Sequence, residues 1–215
     1  MNMEKIILDQ WLIGASASAD LTAVLYEDGL FEVSGSGDSN KFLSAQLLPW
    51  KDQADKIKTV SFFPGTRVTS LSNWFYDCKN LVEIQSFPDG LQDLSITFCG
   101  CVSLARIPEL PQSVLDLDEA FINCCSLTKV PVIPANVIYA CDAFVGCSKL
   151  QGSMLLAAKL QQFAFMFQDA CAHEPLTIDY TSQTKSVIDA VIATGTDSSR
   201  IVKGLEKQKN CACLF

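Results

Sequence analysis

The side chains with the most chemical potential in this sequence are ten cysteines and a single histidine. Four of the cysteines, Cys78, Cys101, Cys124 and Cys147, recur at steps of 23 residues. The others are Cys99, Cys125, Cys141, Cys171, Cys211 and Cys213. Cys99-Gly100-Cys101, Cys124-Cys125 and Cys211-Ala212-Cys213 all lack the two-residue gap of common redox and zinc motifs. Four ligands spread over successive repeats cannot converge on one tetrahedron, and equivalent residues have no basis for choosing disulfide partners. The four periodic cysteines therefore read as small apolar core residues at a tight bend. Cys211 stands one residue too far from the C-terminus for a prenylation box. His173 falls in a repeat register of the last turn and reads as a capping or surface residue. No Gly-x-Ser-x-Gly, Gly-x-Gly-x-x-Gly, Walker loop or metal-binding His pair occurs. This inventory predicts a protein that is not an enzyme, with no cofactor and no metal.

The elements that carry these residues are set by the same period. Phe75, Phe98, Phe121, Phe144 and Phe167 are spaced 23 residues apart. Leu81, Leu104, Leu127 and Leu150 follow in phase, then Ile84, Ile107 and Val130, then Phe87, Leu110, Ile133 and Leu156. Pro88, Pro111 and Pro134 close the extended stretch. Val68, Leu91, Val114, Val137 and Leu160 share one further register. Leu71, Leu94, Leu117, Ala140 and Phe163 share another. A unit this short cannot bury its own apolar face, so units must stack into a solenoid with a continuous core. Strands stacked turn on turn rise about 4.7–4.9 Å each. The Phe-x-x-Cys-x-x-Leu segment has helical spacing and predicts one short helical turn per unit.

The unit resembles the BspA-like class of bacterial leucine-rich repeats. Glu119-Ala120-Phe121-Ile122-Asn123-Cys124-Cys125-Ser126-Leu127 and Asp142-Ala143-Phe144-Val145-Gly146-Cys147-Ser148-Lys149-Leu150 carry the likeness. Trp11-Leu12-Ile13-Gly14, the segment 25–37 and Pro49-Trp50 resemble the leading cap found in many such proteins. The resemblance implies a cell-surface or secreted protein active in adhesion. It weakens in the last repeat, where Gly152-Ser153 and Ala170 replace apolar and Cys positions.

Three regions of a single structural domain follow: an N-terminal cap over 1–60, about five repeats over 61–175, and a C-terminal cap and tail over 176–215. In the first, residues 21–26 and 30–34 flank Asp28-Gly29, a pair favoured in a type I′ hairpin turn. Gly35-Ser36-Gly37-Asp38 is loop, and Pro49 is placed to open a short helix through Ile57. In the last, 176–180 reads as a strand. Ser182 is placed to cap a helix containing Val187, Ile188, Val191 and Ile192, ending near Gly195. A second helix is expected from Ser198 or Ser199 to about Lys207. Residues 208–215 read as a loose tail.

A formal net charge of −8 argues against a nucleic-acid binder. No apolar run reaches the length of a bilayer span. Lys5, an apolar stretch and residues 15–19 loosely imitate a signal peptide, but Asp9 and Gln10 interrupt the apolar stretch and Glu4 occupies its basic end. Localisation is thus in conflict: the resemblance points outside the cell, whereas the abundant thiols suit a reducing compartment. By strand alternation the outward positions include Asp93, Asp116, Tyr139, Gln162 and Ser95, Asp118, Cys141, Ala164. Asp116, Asp118 and Glu119, with Asp93 and Asp142 from neighbouring units and Tyr139 beside them, form an acidic strip. It reads either as a solvated face or as a site for a basic ligand. A second ladder, Glu83, Arg106 and Lys129, carries both signs and reads as surface pairing. The function expected is a monomeric, non-catalytic binding or adhesion module that recognises a protein or carbohydrate. The alternative is a structural subunit of a larger surface or virion assembly.

Overall fold

The computed structural model describes residues 5–16, 20–37, 39, 42–156, 159–171, 175–181, 188–189 and 201–207. Alternating apolar residues make strands β1 (Ile7–Leu12), β2 (Thr22–Tyr26) and β3 (Leu30–Ser34), an antiparallel meander. Ala23 and Leu25 of β2 and Phe31 and Val33 of β3 point to one buried face. The turn between β2 and β3 is not type I′, which needs two left-handed residues. Only Gly29 has positive φ (94°), and its N–H donates to the Tyr26 carbonyl at 3.0 Å. This is a three-residue loop closed by a left-handed glycine. The short helix expected from Pro49 through Ile57 is the 3₁₀ segment Lys51–Lys56, and another 3₁₀ segment, Ala45–Leu47, precedes Pro49.

From β3 onward the pairing turns parallel: β3 pairs β4 (Thr59–Phe62), which pairs β5 (Glu83–Ile84). Beyond β5, repeats 23 residues apart are joined mainly by single parallel bridges and turn-to-turn hydrogen bonds. The Phe-x-x-Cys segments are not helical turns. Asn73, Ile96, Glu119, Asp142 and Phe165 all have φ between 55° and 66°. Four residues on, Asp77, Gly100, Asn123, Gly146 and Asp169 are left-handed as well. A left-handed residue every fourth position prevents α-helix and gives successive tight turns instead. In those turns the N–H groups of Cys78, Cys101, Cys124 and Cys147 donate to the Phe carbonyl three residues earlier at 3.0–3.2 Å. The spacing of apolar residues is compatible with both geometries; the left-handed backbone at these positions decides between them.

At the other end, β6 (Gly152–Leu155), β7 (Leu176–Thr181) and β8 (Ile201–Lys207) form a parallel sheet in that order. The strand expected at 176–180 is present as β7. The helix expected to reach Lys207 is replaced by β8, whose Ile201 and Val202 pair with Leu176 and Thr177. A β-branched pair beside an open parallel edge favours strand over helix. Of the other expected helix, the described residues are Ile188 and Asp189, which are helical. Ser182, Val187, Val191, Ile192, Gly195, Ser198, Ser199 and 208–215 lie outside the described residues.

One apolar cluster runs through all of this. Its spine is the phenylalanine column: Phe75, Phe98, Phe121, Phe144 and Phe167 stack face to face at 5.3–5.8 Å, with planes within 16° of parallel. Phe31 of β3 meets Phe75 edge-on at 5.5 Å and ends the column. Trp50 packs on Trp74 and donates its indole N–H to the Trp74 carbonyl at 2.8 Å, tying the 3₁₀ region to the first turn.

Candidate functional site

The strip predicted from alternation is assembled by the ladder that runs beside the buried Leu94, Leu117 and Ala140. Parallel bridges join Ser70 to Asp93, Asp93 to Asp116, Asp116 to Tyr139 and Tyr139 to Gln162. Its carboxylates also order the backbone. Asp93 accepts from the Ser95 N–H at 2.8 Å and the Ser70 hydroxyl at 2.7 Å. Asp116 accepts from the Asp118 N–H at 2.8 Å, and Asp118 from the Cys141 N–H of the next repeat at 2.7 Å. The amides of Ser95, Asp118 and Cys141 that these carboxylates accept each stand just before a left-handed residue.

Two of these carboxylates, Asp116 and Asp118, feel the charge of their neighbours. Partial burial raises Asp116 above the ordinary carboxylate range; its amide bond opposes this, and Asp118 and Asp93 add to the rise. Burial raises Asp118 likewise, with Asp142 and Asp93 contributing. Tyr139 is 36% exposed beside them. Glu119 departs from the group: it is exposed, and its charge acts on the Cys99 thiol, which burial first of all pushes up to about 11. Ion pairs occur elsewhere, at Lys5–Glu32, Lys79–Asp77 and Arg106–Glu83. Among the described residues no cation pairs with Asp93, Asp116, Asp118 or Asp142.

The cysteine column is structural. Cys78, Cys101, Cys124 and Cys147 are buried and free. The thiols of Cys101, Cys124 and Cys147 donate to the carbonyls of Phe75, Phe98 and Phe121 in the preceding repeat at 3.0–3.2 Å. Burial drives all four thiols far above their usual range. Among the described residues no three His, Cys, Asp or Glu side chains group as ligands for one metal ion. His173, Cys211 and Cys213 lie outside the described residues.

With this geometry in hand, the chain can be set beside known proteins. No protein-family model and no curated protein matches it. Solved structures do. A leucine-rich repeat protein from Eubacterium ventriosum aligns over 82% of this chain and 45% of its own, with 17% identity and a TM-score of 0.54. A Treponema pallidum leucine-rich repeat protein aligns over 91% of this chain and 83% of its own, with 19% identity and a TM-score of 0.53. The fold is that of leucine-rich repeat proteins. The chain spans less than half the length of the Eubacterium protein, so the leucine-rich repeat fold is what the two share.

Two features of this leucine-rich repeat chain escaped the sequence reading. Trp74, Thr97, Ala120, Ala143 and Met166 form another fully buried register. Their chemical diversity hid it, although Thr97 fits by donating its hydroxyl to the Leu71 carbonyl at 3.0 Å. The second is a cleft of about 640 Å³ where repeats meet at Arg106 and Lys129. Its signal was Pro108 and Pro131, which stand where the earlier repeat has Gln85, whose N–H donates to Val60.

Proposed function

We propose that this chain is a non-catalytic binding module whose stacked repeats form a capped solenoid and present the acidic strip to a cationic protein segment. The observation that carries this reading is the set of four neighbouring carboxylates, Asp93, Asp116, Asp118 and Asp142, that no cation of the described chain neutralises and whose charges raise Asp116 and Asp118. Like charges held together cost stability, and a basic partner removes that cost on binding. Tyr139 supplies an aromatic face beside the charges for a lysine or arginine to lie against. Membership of the BspA-like class and a role in adhesion at a bacterial cell surface rest on the repeat resemblance quoted above.

Titration with a lysine- and arginine-rich peptide, read by calorimetry at low and physiological salt, tests this reading. Binding should weaken at the higher salt and fall by at least roughly tenfold in an Asp93→Asn, Asp116→Asn, Asp118→Asn, Asp142→Asn variant. Equal binding by that variant, or preference for a neutral oligosaccharide, would reject the strip as the recognition surface. Sedimentation of the free chain as a closed oligomer would favour the assembly role instead.

A further inference from the structure

The ladder through Lys58, Val82, Ala105, Thr128 and Gln151 is hydrogen-bonded at each step but one. Val82 N–H donates to Lys58, Ala105 N–H to Val82, and Gln151 N–H to Thr128. The bond from Thr128 to Ala105 is missing. The amides of Thr128, Lys129 and Val130 and the carbonyls of Ala105 and Ile107 make no hydrogen bond among the described residues. On the other side of the coil, about half a repeat away in sequence, the same two repeats stay joined, with Leu117 N–H donating to Tyr139 and Phe98 and Phe121 stacked at 5.4 Å. The repeats are thus closed at the phenylalanine column and parted at one rung. Pro131 stands at the open junction where Gln85 stands at the first, and having no N–H it cannot donate to Arg106 as Gln85 donates to Val60. Arg106 and Lys129, of like sign, both line the cleft at this rung.

We propose that the open rung is a docking site for an extended peptide segment carrying carboxylate side chains. A strand laid there meets an unpaired edge of three donors and two acceptors, the requirement for adding a strand to a sheet. Ile107 and Val130, only partly buried, are the apolar contacts that alternate side chains of such a strand reach. The charge of the rung selects its sign. Lys129 has no ion-pair partner among the described residues, and Arg106 is engaged by Glu83 through Nε at 3.2 Å. The site is therefore locally cationic on a chain of net charge −8. It is independent of the acidic strip and selects the opposite charge.

Two measurements test the proposal on the intact chain. In native-state hydrogen exchange of the free protein, the amides of Thr128, Lys129 and Val130 should exchange at least about tenfold faster than those of Ala105 and Gln151. Equal protection would mean that the rung is closed and would overturn the proposal. A short blocked peptide alternating valine and glutamate should then slow those three amides and bind roughly tenfold more tightly than its valine–lysine counterpart. Lys129→Glu should abolish or reverse that preference. No binding of the glutamate peptide, equal binding of both peptides, or slowing confined to the acidic strip would each refute the site.

Discussion

Single residues show how little freedom the repeat leaves. Each ladder cysteine is buried, and Cys101, Cys124 and Cys147 each give the thiol proton to a main-chain carbonyl that already accepts an N–H. Cys124→Ala should lower stability by about 1–2 kcal/mol in chemical denaturation, combining lost volume with a lost weak bond. Because burial raises the folded-state pKa of these thiols above the unfolded value, their contribution is intact below about pH 8.5 and shrinks as pH rises beyond it. Maleimide labelling followed by mass spectrometry should accordingly modify Cys125 and Cys141, which are partly exposed, well before Cys101 or Cys124. The strip carboxylates obey the same rule in the acid range. The raised folded pKa values of Asp116 and Asp118 give a contribution that is complete below about pH 4 and lost as pH climbs through them. Asp118→Asn keeps an oxygen for the Cys141 amide while removing the repulsion. It should stabilise the free protein at neutral pH by a few tenths of a kcal/mol, read from the urea midpoint, while weakening the proposed partner.

The turns are the elements that sequence periodicity described least well. Phe, Cys and Leu at three-residue spacing satisfied a helical template, yet nothing in an apolar pattern reports the sign of φ. Asn73, Asp77, Asn123 and Asp142 are the types that tolerate a left-handed backbone, and their recurrence was the available clue. Ile96 and Phe165 gave none, being among the residues least suited to that region. Gly100 and Gly146 alternate with Asp77 and Asn123 in one column, and a methyl group on Gly146 would press on the Asn123 side chain. Gly146→Ala should therefore cost about 1–2 kcal/mol in thermal or urea unfolding, chiefly from the left-handed backbone. β8 illustrates a different limit. Its residues have no helical or strand signature strong enough to decide alone, and the open edge of β7 decided for them. The hairpin, the inward registers and the strip were legible because each rests on alternation or on the 23-residue period itself. The open rung was not, because Pro131 acts there through a bond it fails to make.

For the molecule as a whole, stability is distributed along one axis. Each repeat contacts chiefly its neighbours, so length should be adjustable in whole units. Deleting a 23-residue segment from the middle of the Phe98–Phe144 region should leave a folded chain with a lower melting temperature, measured by circular dichroism. Deleting two residues fewer should break every register at once and yield an aggregated or unfolded product.

The thiol column also makes the protein its own spectroscopic gauge. The S–H stretch lies apart from other protein vibrations and shifts to lower frequency when the thiol donates. Cys101, Cys124 and Cys147 each span one repeat junction through such a bond, whereas Cys78 has no carbonyl partner among the described residues. Raman spectra of single-cysteine variants, recorded along a denaturant series, would read the opening of each junction separately. The interior therefore carries a scale, graduated in repeats, on which the order of unzipping can be followed without an added label.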